Sequence, residues 1–518
     1  MAFMLRNRPD LAAKHAAYPY QLDAVRALQD LAFAAVFHEQ GLGKTKIAID
    51  LALLWLQKDV VDTVMVVTKK SLVDNWRREV KSHCHLTPHI LSSNRRENSA
   101  SLNAPALIYL TNYEVIGSNV TLFRMFLRTC RVGCILDESQ KIKNPEAGLT
   151  QVFLDLAPCF ERRIIMTGTP VANRPQDIWS QIKFLDEGKS LGSSFDKFKE
   201  EMDLPAGRQA KSVFRNTGHE IASDRDLSKH LLGTGTYAER LSTIHARIAS
   251  FAIRETKKTA GIELPEKSIR THRVDLPTWQ WEKYTSYRDE LAYEYDDLKG
   301  IATLDSAEPI LKRLLRLVQC ASNPSLIDNA YDADPGKLSV LTRLCREFTS
   351  DSKIIVWTNF VENVEWLAFK LGAFNTVRLH GERPMKQRLA AIDDFMHSKS
   401  SILVATPGAA KEGLTLTVAN HVIFYDRSFS LDDYLQAQDR IHRISQQRPC
   451  FVHNLIANNT IDEWIDALLN AKYLAAQMAQ GDIAQEAFDA SYRSDISSML
   501  REVLYPTGNH KLTTTTKH

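Results

Sequence analysis

Nine residues, HEQGLGKTK from His38 to Lys46, follow the apolar run LAFAAVF and set a glycine-containing turn directly behind a strand-like segment. Such a turn gathers backbone N–H groups, the helix that follows adds its positive N-terminal end, and a lysine adds a full charge; together they suit phosphate oxygens. Gly41 and Gly43 would shape the turn, Lys44 would reach the β- and γ-phosphates, and the Thr45 hydroxyl would ligate Mg2+. A chance turn can give so short a match, so the reading needs a second element. CILDESQKIKN supplies it: Asp137 and Glu138 end an apolar run, where one carboxylate can hold Mg2+ and the other can orient or deprotonate an attacking water. RIIMTGTP places Thr167 and Thr169 at another strand end, from which hydroxyls can couple a terminal phosphate to a neighbouring lobe. QAQDRIHRISQ sets Gln436, Arg440 and Arg443 at helical spacing. The two arginines, three apart, then fall on one face and can reach the same phosphates as arginine fingers, where the plain alternative is a solvated basic helix.

Elements must hold these groups together. Short β-rich runs (FAAVF, TVMVVT, ALIYLT, CILDE, RIIMTGT) punctuate the first third, separated by helical patterns such as TKIAIDLALLWLQ and KSLVDNWRREVKSH. The rhythm returns in KIIVWT, TVRLHG, SILVATP, HVIFYD and CFVHNLIA. Apolar strands alternating with helices predict an α/β fold with parallel sheets covered on both faces. We read residues 1–186 as a first lobe, 187–334 as helical protrusions and a linker, 335–470 as a second lobe, and 471–518 as a C-terminal helical segment with a polar tail. The middle segment has its own texture: 207–258 carries ten Lys/Arg against five Asp/Glu, and 289–308 carries seven acids and one lysine. Such runs read as solvated helix faces, the basic one also as a border for nucleic acid.

Composition excludes several classes. With 44% hydrophobic and 25% charged residues among 518, the chain reads as an ordinary globular protein. A net charge of +3 leaves any polyanionic partner to local patches. Seven scattered cysteines without a CxxC pair point to reduced core thiols, and HCH at His83 to His85 aims adjacent side chains apart, as in a polar connection and not a metal site. No run of about 18 apolar residues predicts a membrane span, and MAFMLRNRPD lacks a secretory apolar core.

In their order, PYQLDAV, GLGKT, TKKSLVDNW, LTNYEVI, DESQKIKN, TGTPVANRPQDIWS, LPEK, KIIVWTNF, RLHGE, EGLTLTVANHVIFYDRSFS, QAQDRIHRISQ and LIANNTIDEWI run from residue 19 to 465. This series resembles the Swi/Snf-like family of superfamily-two helicase-type ATPases. The resemblance implies two RecA-like lobes with ATP between them, helical protrusions inserted between the lobes, and Gln21 recognising adenine through its amide. It implies that Thr68, Lys69, Asn112 and Tyr113 touch one DNA strand from the first lobe, and His380, Gly381, Thr406 and Gly413 from the second. Contacts of that kind fall on phosphate and sugar, making binding sequence-independent and salt-sensitive. The implied activity is DNA-stimulated ATP hydrolysis driving translocation on duplex DNA, with remodelling of protein–DNA complexes, forks or branched DNA.

This sequence departs from the family pattern in three places. Ser139 and Gln140 replace the usual Ala-His after the acids; His38 and Gln40 flank the turn where the family favours an acid and Met; and TPGAAKEGLTLT carries about one extra residue before Gly413. Thr415 in EGLTLT, where Asn is commoner, resembles the branch of annealing helicases and compact bacterial and phage members. The compact build is expected of a prokaryotic or viral protein acting in cytoplasm, with a separate protein subunit for targeting. Two other readings stand beside the translocase: the motor of a restriction, defence or transcription-associated complex, and a non-catalytic nucleic-acid-binding module. The second of these is expected to have lost Lys44, Glu138, Arg440 or Arg443, and all four are present.

Overall fold

The computed structural model describes residues 9–104, 106–171, 173–202, 237–297, 308–398, 400–410, 414–492, 499–500 and 503–504. Seven parallel strands form the first sheet: β1 (Phe33–Val36), β2 (Thr63–Thr68), β3 (His89–Ile90), β4 (Ile108–Asn112), β5 (Val132–Asp137), β6 (Arg162–Met166) and β7 (Ala252–Ile253), in the order β3-β4-β2-β5-β6-β1-β7. Successive side chains leave a strand on opposite faces, and here both faces are covered. Met65, Val67, Cys134, Leu136 and Ile165 enter one apolar cluster, while Val64, Val66, Ile135, Ile164 and Met166 enter the other. Two-sided burial is why these strands read as continuous apolar runs.

Six further parallel strands build the second sheet: β8 (Lys267–Val274), β9 (Lys353–Trp357), β10 (Thr376–Leu379), β11 (Ile402–Ala405), β12 (Ala419–Phe424) and β13 (Cys450–Ala457), ordered β10-β11-β9-β12-β13-β8. Ile355, Trp357, Leu403 and Val452 pack on one side, and Ile354, Val356, Val404 and Leu455 on the other. The expected α/β architecture of two parallel sheets is therefore present. Among the described residues, no helix is long and apolar enough to cross a membrane.

The segment 187–334 differs from its reading as helices and linker alone, because it also gives one edge strand to each sheet, β7 and β8. β7 has two residues, too few to show a period, and β8 (KSIRTHRV) is largely polar with Ile269 exposed. The helices Tyr237–Ile248, Thr278–Asp297 and Glu308–Ser322 account for the helical spacing there. Most of the basic run 207–258, half of the acidic run 289–308, and the polar tail lie outside the described residues. The helix Ile461–Ala479 packs against Tyr237–Ile248 and shares an apolar cluster with the first sheet, so the C-terminal segment fastens one lobe to the other.

Three strands of the second sheet carry a buried histidine row. His272 Nε2 lies 3.0 Å from His453 Nδ1, and His453 Nε2 lies 3.1 Å from His421 Nδ1, with Phe348 stacked on His421. Burial, and then the neighbouring rings and Arg270, push His453 down to about 3; burial takes His421 to about 4 and also lowers His272. The unfolded chain therefore binds more protons below pH ~6.5. The neutral row contributes its stability above that pH and loses it as pH falls toward the folded values. Each such histidine costs about 1.4 kcal/mol per pH unit across that window. Urea midpoints at pH 7.5, 6 and 5 should fall more steeply for the wild type than for His453→Gln; equal slopes would assign the acid sensitivity elsewhere.

Candidate active site

β1 delivers the chain into the glycine turn, and the helix Lys44–Gln57 leaves it. Gly43 caps that helix at φ +67° and Gly41 sits at φ +88°, a left-handed region that side chains rarely tolerate. A Cβ on Gly43 would also meet Gln21 Nε2 at 2.4 Å. Gln21 is buried, donating from Nε2 to the Leu42 carbonyl (3.1 Å) and accepting at Oε1 from the Tyr18 N–H (3.0 Å). It braces the turn, its second N–H donates to the Tyr20 hydroxyl (3.4 Å), and one Oε1 lone pair stays open for a base edge. Lys44 Nζ donates to the carbonyls of His38 (2.8 Å) and Glu39 (3.2 Å), and burial, opposed by Glu138 and Asp137, lowers it to about 8. His38 is buried beside Lys44 and Arg254, and burial followed by those charges holds it neutral, at about 4. Gln40 packs on the threonine loop, since a Cβ on Gly168 would meet its Cγ at 2.9 Å.

β2 and β5 are neighbours, which sets Thr68 beside the acids. Asp137 Oδ2 accepts from Thr68 Oγ1 (2.9 Å) and from the Trp76 indole (2.7 Å). Burial and then Glu138 raise Asp137 to about 6, against those two donors and Lys44. Glu138 adopts a left-handed φ of +55°, which bends the chain off the strand. Burial would raise its carboxyl, but Lys69, Gln140, Lys44 and Arg440 outweigh it and hold Glu138 below the usual range. Gln140 Nε2 lies 2.5 Å from Glu138 Oε2, so the neutral amide at this departure steadies the carboxylate. Ser139 Oγ donates to Gln181, which in turn donates to the Pro170 carbonyl, tying the acids to the threonine loop.

The second lobe meets this site directly. Thr169 Oγ1 donates to Asp432 Oδ1 (2.7 Å), Gln436 Nε2 donates to the same oxygen (2.7 Å), and the Leu431 N–H donates to Asn173 (3.0 Å). Thr167 is fully buried and accepts from the Thr169 N–H. Gln436, which the motif's family pattern puts at the nucleotide, is 3% exposed and its amide is engaged in the lobe-to-lobe link. The helical argument for the arginines is corrected. The helix Leu431–Gln438 ends before them, because the Arg440 carbonyl accepts from Leu416 N–H instead of continuing the ladder. Turns bring them in: Arg443 donates to the Asp439 carbonyl and to the Thr415 hydroxyl (2.8 Å), and Arg440 to the Leu414 carbonyl (3.3 Å). Glu138 acts electrostatically on both, while burial lowers Arg440 to about 10 and leaves it cationic.

The DNA-contact expectations fare differently. Thr68 and Tyr113 are fully buried, Thr68 bonded to Asp137 and Tyr113 donating its hydroxyl to the Asp137 carbonyl (2.8 Å); neither side chain can reach a strand outside. Asn112 caps the helix Tyr113–Ser118 through the Val115 N–H, and Lys69 turns toward Glu138 at 3.9 Å. His380 is 5% exposed and held on Glu365 (2.8 Å), and Thr406 is 8% exposed. Gly381 is exposed, with open space where a side chain would stand. Gly413 lies outside the described residues.

Sequence reasoning missed three groups here. Arg254 pairs with both oxygens of Asp482 and donates to the Phe37 carbonyl; Trp76 supports Asp137; and Lys257 spans the lobes. Only LPEK, ten residues past Arg254, signalled that this stretch matters.

The donor set suits a magnesium-bound nucleotide triphosphate. Among the described residues Asp137 Oδ1 accepts no hydrogen bond, the neighbouring carboxylate raises the local demand for a cation, and Thr45 stands in the first turn of the helix Lys44–Gln57, giving hard oxygen ligands. Comparison with known proteins agrees. The SNF2-related domain matches residues 24–326, and the helicase conserved C-terminal domain matches 336–445. A human SWI/SNF-related matrix-associated actin-dependent regulator of chromatin, subfamily A member 1, is 26% identical over 489 residues, covering 89% of this chain and 43% of its own length. An uncharacterized ATP-dependent helicase of Mycoplasma pneumoniae is 26% identical over 449 residues, covering 85% of this chain and 39% of its own. The chain thus spans less than half the length of these relatives. A solved structure described as the Sulfolobus solfataricus SWI2/SNF2 ATPase core in complex with dsDNA is 25% identical, with 96% of this chain and 99% of that one covered, at a TM-score of 0.39. At that score the fold rests on the two sheets themselves. The first matched segment contains the glycine turn, both acids and the threonine pair, the second contains both arginines, and the chain belongs to the SNF2-related family of helicase-type ATPases.

Proposed function

We propose that the chain is a DNA-dependent ATPase that translocates on duplex DNA and remodels protein–DNA complexes, forks or branched DNA. The observation that carries the catalytic part is the meeting of Lys44, Asp137 and Glu138 from one lobe with Arg440 and Arg443 from the other, all in electrostatic range of Glu138. The turn amides and Lys44 bind the phosphates, Gln21 faces the base, and Glu138 orients the attacking water and accepts its proton. Thr45 and Asp137 would hold Mg2+, which when bound neutralises charge on the β- and γ-phosphates. Arg440 and Arg443 stabilise the charge that develops as the terminal phosphoryl group departs. The Thr169–Asp432–Gln436 link then transmits the state of the phosphate site into the second lobe, so hydrolysis alters how the lobes meet.

Duplex DNA as the track rests on the family and on relatives named for chromatin regulation and helicase activity. Since most of the expected side-chain contacts are buried, phosphates would be met by backbone N–H groups and by exposed neighbours such as Lys70 and the Gly381 turn. The test is steady-state ATP hydrolysis without nucleic acid and with duplex DNA, single-stranded DNA or RNA, at low and moderate salt. Duplex DNA should stimulate most, and its apparent affinity should fall steeply with salt through counterion release. Equal turnover with every nucleic acid would remove DNA from the proposal.

A further inference from the structure

Lys257 occupies the only described stretch that runs along the glycine turn and then crosses into the second sheet. Backbone bonds from Ala35 to Phe251, Phe37 to Ile253 and Glu39 to Glu255 (2.9, 2.9 and 2.8 Å) lay this stretch beside β1 and extend it past β7 to the turn. The Lys257 N–H donates to Glu39 Oε2 (2.8 Å), and its Cε stands 4.0 Å from where a Cβ on Gly41 would be. The ammonium, on a side chain 9% exposed, lies 3.2 Å from Glu39 Oε1, 3.4 Å from Asp439 Oδ1 and 3.1 Å from the His442 carbonyl. Asp439 immediately precedes Arg440, and His442 immediately precedes Arg443. One cation therefore grips the arginine-bearing turn at two points and the phosphate turn at a third. Downstream of Lys257 the chain enters β8 of the second sheet, so the grip sits on the connection between lobes.

From this geometry we infer that Lys257 is a positioning residue that registers Arg440 and Arg443 against the glycine turn. The inference rests on the ATPase reading above. It also accounts for the burial of a lysine between two carboxylates. Any buried ammonium needs partners, and here two of them, the Asp439 carboxylate and the His442 carbonyl, belong to the residues directly before Arg440 and Arg443. An ammonium that sets their position needs both. Displacements of about 1 Å at a reacting group can cost on the order of 10²-fold in rate.

The test uses the full chain with Lys257→Met and Lys257→Arg. It measures kcat and KM for Mg·ATP with duplex DNA, thermal unfolding, and the lobe-to-lobe distance by FRET with and without a non-hydrolysable ATP analogue. Lys257→Met should lower kcat roughly 10–100-fold with KM near wild type and a lowered unfolding temperature, since Glu39 and Asp439 lose their cation, and Lys257→Arg should recover most of both losses. With analogue bound, the Met variant should show a broader lobe-to-lobe distribution than the wild type. A Met variant with wild-type kcat would overturn the inference. So would a rise in KM alone, or matched losses of rate and unfolding temperature in both variants. If the wild type itself fails to hydrolyse ATP, the ATPase reading fails, and the distance measurement still decides whether Lys257 registers the lobes: unchanged distributions in Lys257→Met refute it.

Discussion

Replacing Arg440 or Arg443 with alanine should lower the maximal rate of ATP hydrolysis by roughly 10³–10⁵, the range that a finger arginine supplies in phosphoryl transfer. Both guanidinium groups come from the second lobe and act on Glu138 of the first, so they complete the site only when the lobes meet. Arg440 is 5% exposed and among the described residues donates one bond, at 3.3 Å to the Leu414 carbonyl, which leaves most of its five donors for an incoming anion. Burial beside a second arginine costs free energy, and the charge that develops on the departing phosphoryl group would repay it. Affinity for a fluorescent ATP analogue should stay within about threefold, because stabilisation confined to the transition state appears in kcat and not in ground-state binding. Arg443→Lys keeps the charge but loses the planar fork, and it should recover only part of the rate. The double variant should be little worse than the worse single one, since groups acting as a unit are non-additive. A raised KM with kcat intact would make these residues ground-state phosphate ligands instead.

The legible parts of this chain are those in which chemistry and scaffold share a short segment. GLGKT and CILDE each carry the strand end, the bend and the reactive group within a few residues, and the structure brings Lys44, Asp137 and Glu138 into one electrostatic cluster. Nine of the ten strands visible in the sequence owe their apolar runs to burial on both faces, while β10 is a half-exposed edge strand with Arg378 at the surface. β3 and β7 have two residues each, and β8 is a polar edge, so none has a pattern to read. The arginines share a direction for a reason other than helical spacing: it comes from turns fixed by Leu416 and Thr415 after the helix has ended. Thr68 and Tyr113 misled because their burial depends on Asp137, which is distant in sequence and adjacent only through strand order. Lys257 had no local signal at all, since a two-residue strand and partners in another lobe define it.

Glu138→Gln should reduce turnover by about 10²–10⁴, the usual contribution of a positioned general base, while leaving ATP bound and unhydrolysed. The amide matches the carboxylate in shape and still offers one oxygen to Gln140, but it can neither accept a proton nor pair with Lys69. Everything around Glu138 works to keep it ionised: Lys69, Gln140, Lys44 and Arg440 together overcome a burial that would otherwise protonate it. A backbone held at φ +55° by a residue other than glycine costs on the order of 1–3 kcal/mol, and such strain persists only where the surroundings impose it. Glu138→Gly offers a second readout. It relieves the strained φ but removes the carboxylate that balances Lys69, Lys44 and Arg440, and it should hydrolyse ATP no faster than Glu138→Gln. Gln140→Ala tests the support separately: the carboxylate loses its fixed donor, and kcat should fall about tenfold with ATP affinity unchanged, since a hydrogen bond to a charged group is worth about 1.5–3 kcal/mol. Hydrolysis by Glu138→Gln within tenfold of the wild-type rate would place the base elsewhere and leave Glu138 a purely electrostatic neighbour of Asp137.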